Sequence, residues 1–426
     1  MDGIARGTLV NLLTRAAGVG LMLAITAVTA RIGTEAQGRF ALFTTVESLC
    51  LALLSGFGVA LARRVSHHGE NPRGLVAAVA LGCVALGLLL MPALWAFSAF
   101  GPPAYAPLWI LALAAPLMLL VPNLGGLWLG EGRMRPLAVL ALAPPLLCLG
   151  GIGAAALAAP LALPAVLGAW VGAKALVALA LLWVLWRSGR LGRPDGPALR
   201  REARFIATIG ATNLIGLANY RVGLVVAERF LDVSAVGVYS IAVIVAELMW
   251  FVSGSLTQAA YARIGAPDGA HAAAFTVRVM QLGVAALLLV APLLWLGAWL
   301  LVPRLLGATY AGSLLPLALL LPGVLLFGAA GALSAWFTNH AGRPEVPAQV
   351  AALSLAFNAG LALLLVPLWG IAGAALAASL AYGVSVALLA LRFARAAALP
   401  LPVVLRPAPQ LWADLRRIPS RAGGRR

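Results

Sequence analysis

The chain has 426 residues, of which 62% are hydrophobic and only 10% charged, with a mean hydropathy of +1.00. A water-soluble protein of this length needs a charged surface that this composition does not supply, so a soluble globular domain is excluded. The net charge of +17 is the usual sign of a nucleic-acid partner, but the placement of the basic residues excludes that class as well.

A hydrocarbon core about 30 Å thick takes about 20 residues of apolar helix. The sequence divides into twelve such lengths, at 8–31, 38–62, 74–100, 106–129, 136–159, 163–187, 204–227, 235–262, 273–302, 311–338, 347–367 and 370–392. Helices are required because lipid offers backbone amides no partner. A barrel is ruled out by the lack of short alternating segments. The first span is too long for a signal-peptide core and has no small-residue cleavage site, so it is expected to stay as a first helix.

Of the 30 lysines and arginines, 22 fall on one side of the membrane if the N-terminus is cytoplasmic. They are Arg6, Arg63, Arg64, Arg73, Arg133, Arg135, six from Arg187 to Arg204, Arg263, Arg343 and eight from Arg392 to Arg426. The other side has only Arg31, Arg39, Arg229 and Arg304. This asymmetry predicts cytoplasmic termini, with anionic headgroups as a secondary contact. Cys50, Cys83 and Cys148 lie in apolar spans without metal-ligand spacing and read as packing residues. The Pro- and Arg-rich tail after Ala398 reads as a solvated basic segment.

Two halves repeat across the basic loop at 188–203. Asn11 and Asn213, Gly38 and Gly237, Tyr105 and Tyr310, and Gly132 and Gly342 are separated by 202, 199, 205 and 210 positions. Each half has an even number of spans, so the repeat is parallel, about an axis along the membrane normal. The expected fold is an all-α polytopic membrane protein of about twelve transmembrane helices in two six-helix lobes. Its parts are an N-terminal lobe (1–187), a linker (188–203), a C-terminal lobe (204–397) and a tail (398–426).

Several segments carry a resemblance. Asn11, Ala30-Arg31-Ile32-Gly33, Gly38-Arg39-Phe40 and Gly56-Phe57-Gly58 belong to it, as do Leu306-Gly307-Ala308-Thr309-Tyr310 and Leu321-Pro322-Gly323. So, above all, does Asn358 followed by Val366-Pro367-Leu368-Trp369-Gly370-Ile371-Ala372-Gly373. Over nearly its whole length the chain resembles the Wzx-type O-antigen and exopolysaccharide flippases of the multidrug/oligosaccharidyl-lipid/polysaccharide exporter superfamily. The resemblance implies two six-helix lobes around a central cavity and a lipid-linked oligosaccharide as cargo.

Ionisable residues at membrane depth are the candidates for function, because burying them in lipid is costly. Arg15 shares a helix face with Asn11. Asn213 and Arg221, eight apart, share one in the seventh span. An arginine fork suits a phosphate, and undecaprenyl pyrophosphate is the anion such flippases carry. Lys174 and Arg278 extend the cationic path, although Arg278 and Arg15 also read as side chains snorkelling to the membrane edge. Glu47 and Glu247, 200 positions apart, are candidates for ion pairs or for H+ or Na+ coupling. By depth, Glu47 is expected near Arg15, and Glu247 nearer Asn213 than Arg221.

Other signals carry no chemistry. Gly151-Ile152-Gly153 lies in a helix with no strand before it, so it is no dinucleotide loop. Gly126/Gly130 and Gly168/Gly172 are spaced for close helix packing. His67 and His68 read as a solvated loop. Pro116, Pro122, Pro144, Pro145, Pro292, Pro316 and Pro322 are expected to kink helices.

The leading reading is therefore a flippase carrying an anionic lipid-linked oligosaccharide to the outer leaflet, by alternating access, for surface polysaccharide biosynthesis. The alternative is a cation-coupled multidrug exporter, whose cationic cargo requires intramembrane acids, whereas here four bases face two acids. An enzyme is not expected, since the loops outside the cytoplasm are short and nearly chargeless. Neither a cofactor nor a metal site is expected. The expected location is the bacterial inner membrane, with the lipid-linked oligosaccharide, membrane lipids and polysaccharide polymerase or glycosyltransferases as partners.

Overall fold

A computed structural model describes residues 2–68, 72–266 and 268–405, with side chains at 2–12, 67, 68, 262 and 405 left aside. The side chains of Asn11, Arg6, His67 and His68, and the tail from 406, thus lie outside the described residues. Every described secondary-structure element is helical. Large apolar side chains such as Leu89, Leu157, Trp186, Leu293 and Leu368 are exposed, an exterior that suits hydrocarbon and not water.

The chain separates into two compact units, Met1–Leu217 and Ala218–Arg426. Unit 1 contains α1 (Asp2–Ile32), α2 (Thr34–Leu53), α3 (Gly56–His68), α4 (Arg73–Phe100) and α5 (Leu108–Met118). It continues with α6 (Leu120–Leu124), α7 (Gly126–Gly130), α8 (Met134–Ala158), α9 (Leu163–Arg187) and the first part of α10 (Gly196–Phe230). The second span of the sequence is α2 plus α3, bent by 40° at Leu54-Ser55. The fourth is broken into α5, α6 and α7 beside Pro116 and Pro122, where two missing amide donors weaken the ladder. Pro144 and Pro145, by contrast, lie within a single helix, α8.

The division between units falls inside α10, later than the basic loop read as the linker. The loop is fastened to unit 1: Gly192 N donates to Arg73 O and Asp195 N to Gly74 O, each over 3.0 Å. Arg64 Nε then lies 2.8 Å from Glu202 Oε1, and Arg63 Nη1 3.8 Å from Oε2. These contacts hold the start of α10 against α3 and α4.

Of the two small-residue patterns, one packs and the other does not. A Cβ at Gly126 would meet Gly58 O at 2.1 Å, so α7 and α3 approach backbone to backbone. Asn123 Oδ1 accepts from Gly58 N over 2.9 Å at the same crossing. Gly168 and Gly172, expected to pack, have no neighbour within 4 Å of a Cβ. At the α8–α9 crossing it is Gly151 of α8 that gives the close approach, a Cβ there lying 3.1 Å from Ala169 Cβ.

Unit 2 contains the rest of α10, α11 (Val233–Glu247), α12 (Met249–Ile264), α13 (Gly269–Leu305), α14 (Leu314–Ala329), α15 (Gly331–Asn339), α16 (Glu345–Ala396) and α17 (Leu401–Leu405). It reproduces the landmarks of unit 1. A 3-10 turn with a buried tyrosine precedes α5 at Pro103–Tyr105 and α14 at Ala308–Ser313. Gly132 and Gly342 end the corresponding segments at φ 68° and 63°.

The 52 residues of α16 are two spans folded back to back. Gly370 breaks the helix at φ 58° and ψ −137°. Arg392 Nη1 donates to Gln349 Oε1 over 2.8 Å, where 43 residues of straight helix would separate them by roughly 64 Å. Ten described helical stretches are long and apolar enough to cross a bilayer, and the bent α2–α3 pair makes an eleventh. The hairpin at Gly370 divides one of the ten, giving the twelve read from the sequence.

Candidate functional site

Inside the spans of each unit, the polar groups gather around one glutamate. In unit 1, Glu47 of α2 is 2% exposed. Lys174 Nζ of α9 lies 2.5 Å from its Oε1, and Trp170 Nε1 donates to its Oε2 over 2.8 Å. Lys174 and Trp170, four residues apart, share a face of α9. The ammonium also stands 4.0 Å from the Trp170 ring centroid, a cation–π contact. Phe40 meets the same ring edge-on at 5.5 Å. Each oxygen of this buried side chain thus has a donor, which offsets the cost of its burial.

This corrects the pairing expected from depth. Glu47 takes Lys174, not Arg15: the lysine on α9 reaches the carboxylate, while Arg15 lies on an exposed face of α1. Arg15 is exposed on α1 and makes no ion pair among the described residues.

In unit 2, Glu247 closes α11 and accepts a two-pronged contact from Arg221 of α10. Nη1 lies 3.1 Å from Oε1, and Nη2 3.4 Å from Oε2. The pair is 22% and 24% exposed. Asn213, expected to be the nearer partner, instead donates to Ser55 Oγ over 2.8 Å. It lies on the unit 1 portion of α10, at the break between α2 and α3, while Arg221 lies on the unit 2 portion. Arg278 is exposed on α13.

An aromatic cluster surrounds the unit 2 pair. The Tyr220 ring lies 4.5 Å from Trp250 and 5.8 Å from Phe327, and Phe327 lies 5.0 Å from Tyr382. A cavity of about 20 Å³ is lined by Tyr220, Tyr239, Glu247, Trp250, Asn358 and Tyr382, among others. Beside it, Asn219 Nδ2 donates to Ser354 Oγ over 3.0 Å and Asn358 Nδ2 to Asn219 O over 2.9 Å.

Both intramembrane glutamates are therefore occupied, each by a cation from a different position of the repeat: the sixth span in unit 1 and the seventh in unit 2. Among the described residues, no group of three or more His, Cys, Asp or Glu side chains is placed to hold a metal ion. The sequence reading did not single out Trp170, Trp250, Ser354 or Tyr382. Trp170, one helical turn before Lys174, and Trp250, three residues after Glu247, gave a usable signal. Ser354 and Tyr382 reach Asn219 and the cavity through long-range packing that spacing does not encode.

No family model matches the sequence, and neither does any curated protein. Solved structures do match. An inward-facing multidrug resistance MATE family transporter of the MOP superfamily is similar, with a TM-score of 0.71 and 15% identity over 92% of this chain and 94% of that one. An outward-facing MATE family transporter has a TM-score of 0.67 and 16% identity over 95% of this chain and 96% of that one. The lipid II flippase MurJ, in an inward closed conformation, has a TM-score of 0.70 and 14% identity over 99% of this chain and 94% of that one. At these identities the likeness establishes the fold: this is a multi-pass membrane protein with the architecture of the MOP-superfamily transporters.

Proposed function

We propose that the chain is a flippase that moves an anionic, undecaprenyl-pyrophosphate-linked oligosaccharide from the cytoplasmic to the outer leaflet of the bacterial cell membrane. It acts by alternating access and supplies cell-surface polysaccharide biosynthesis, with both termini cytoplasmic and polymerase or glycosyltransferases as neighbours in the pathway. The observation that carries this reading is the charge balance inside the spans. Four basic residues face two acids, and both acids are already paired, with Lys174 and Arg221. Arg15 remains as an exposed guanidinium in the first span. A guanidinium offers a pyrophosphate bidentate, charge-assisted hydrogen bonds that tolerate desolvation. Lys174 and Asn213 in unit 1, and Arg221 and Arg278 in unit 2, are further candidate positions for an anionic group, each within its own unit.

A second reading, a cation-coupled multidrug exporter, is favoured by the MATE likeness and by the aromatic rings around Glu247. It needs a carboxylate available to a cationic cargo or to H+ or Na+, which requires Arg221 to leave Glu247. The two readings separate in a flippase-deficient bacterium tested across several polysaccharide backgrounds. Clearance of accumulated lipid-linked oligosaccharide by the wild-type chain supports the flippase. Drug resistance without clearance, abolished by Glu247→Gln, supports the exporter.

A further inference from the structure

The cavity beside Glu247 is bordered by two polar residues whose hydrogen-bonding capacity is unspent. Asn358 is 1% exposed, and its Oδ1 has no partner. Its amide orientation is fixed, because Nδ2 faces the backbone carbonyl of Asn219 at 2.9 Å, an atom that can only accept. Trp250 Nε1 is also buried without a partner. One is an acceptor lacking a donor and the other a donor lacking an acceptor, and both residues line the same space of about 20 Å³. A buried polar atom left unmatched is destabilising, because it has lost its water and gained no partner.

We infer that this cavity is the binding site of a single ordered water that accepts from Trp250 Nε1 and donates to Asn358 Oδ1. The volume suits one water, whose minimum is roughly 10–15 Å³. A buried water needs 2–4 polar partners, and Glu247, Tyr220, Tyr239 and Tyr382 also line the same space. A monovalent cation is disfavoured, because the indole N–H presents it with a positive edge and Arg221 already neutralises Glu247. The water connects the Arg221–Glu247 pair to the Asn358–Asn219–Ser354 chain of hydrogen bonds, so that α10, α11, α12 and the first half of α16 share one polar seam within unit 2. This inference stands independently of the transport reading.

The test is a structure of the full chain in lipid nanodiscs, prepared without sodium, at a resolution where ordered waters are visible. A peak within hydrogen-bond distance of both Trp250 Nε1 and Asn358 Oδ1 is the expected result. An analogue with benzothienylalanine at position 250 keeps the ring shape and removes only the N–H; it should lose the peak and lower the melting temperature by a few degrees. The inference is overturned if the peak is absent, or if a peak appears only when sodium is added. It is equally overturned if removing the indole N–H leaves the melting temperature unchanged or raises it, as relief of an unmatched buried donor would do.

Discussion

Lys174 Nζ stands 2.5 Å from Glu47 Oε1, and Trp170 Nε1 donates to the other carboxylate oxygen. Removing one partner of a buried pair costs about 3–5 kcal/mol, because the other charge is left desolvated; here the cost is at the lower end, since Lys174 is 22% exposed. Lys174→Ala is therefore expected to lower the melting temperature of the purified protein in detergent. The double variant Lys174→Met/Glu47→Gln should recover most of the loss, since it removes both charges and keeps the volume.

The pair of the corresponding glutamate in unit 2, Arg221–Glu247, is more open and longer at 3.1 Å. Glu247→Gln leaves the Arg221 guanidinium without a carboxylate inside a span, which is destabilising, so it should lower the melting temperature, by less than Lys174→Ala because the pair is 22% and 24% exposed. Freeing the Arg221 guanidinium adds positive charge at the site. Clearance of lipid-linked oligosaccharide by this variant is expected to match or exceed wild type at equal expression, as scored by lipid extraction and blotting.

The two glycine patterns separate in a third experiment. A methyl at Gly126 would lie 2.1 Å from Gly58 O, and a backbone atom does not swing aside. Gly126→Ala is expected to cost about 1–3 kcal/mol or more by overpacking. Gly168→Ala meets nothing within 4 Å and should be neutral, or stabilising by about 0.5–1 kcal/mol from reduced backbone entropy. Paired thermal-shift curves measure both.

The hairpin at the centre of α16 depends on Gly370, whose φ of 58° and ψ of −137° are a conformation that a side chain disfavours. Gly370→Ala should cost about 1–3 kcal/mol of backbone strain. The loss should appear as a lower melting temperature and lower yield in the membrane fraction.

Span number and the parallel repeat were legible because both rest on one-dimensional signals: apolar length, turn glycines and the spacing of Tyr105 and Tyr310. The break at Leu54-Ser55 was not, since no proline marks it; it depends on Leu53 lying against Gly210 of α10, at 2.0 Å from a Cβ there. Depth and charge selected Arg15, Lys174, Arg221, Arg278, Glu47 and Glu247 as candidates. Their partners were misassigned because depth fixes height in the membrane and says nothing of azimuth. Lys174 faces Glu47 while Arg15 faces outward on α1, and Asn213 turns to Ser55 because the first part of α10 belongs to unit 1. Gly168 and Gly172 illustrate the same limit: their spacing permits close packing, while only the assembled helices decide which face is used.

The central claim is that an arginine without an acidic partner in the first span receives an anionic headgroup. The most direct test compares wild type, Arg15→Ala and Arg15→Lys for accumulation of lipid-linked oligosaccharide in a flippase-deficient strain, with protein levels matched. The account predicts accumulation with Arg15→Ala, partial clearance with Arg15→Lys because a point charge replaces a bidentate fork, and clearance with wild type. Full clearance by Arg15→Ala at equal expression would contradict it.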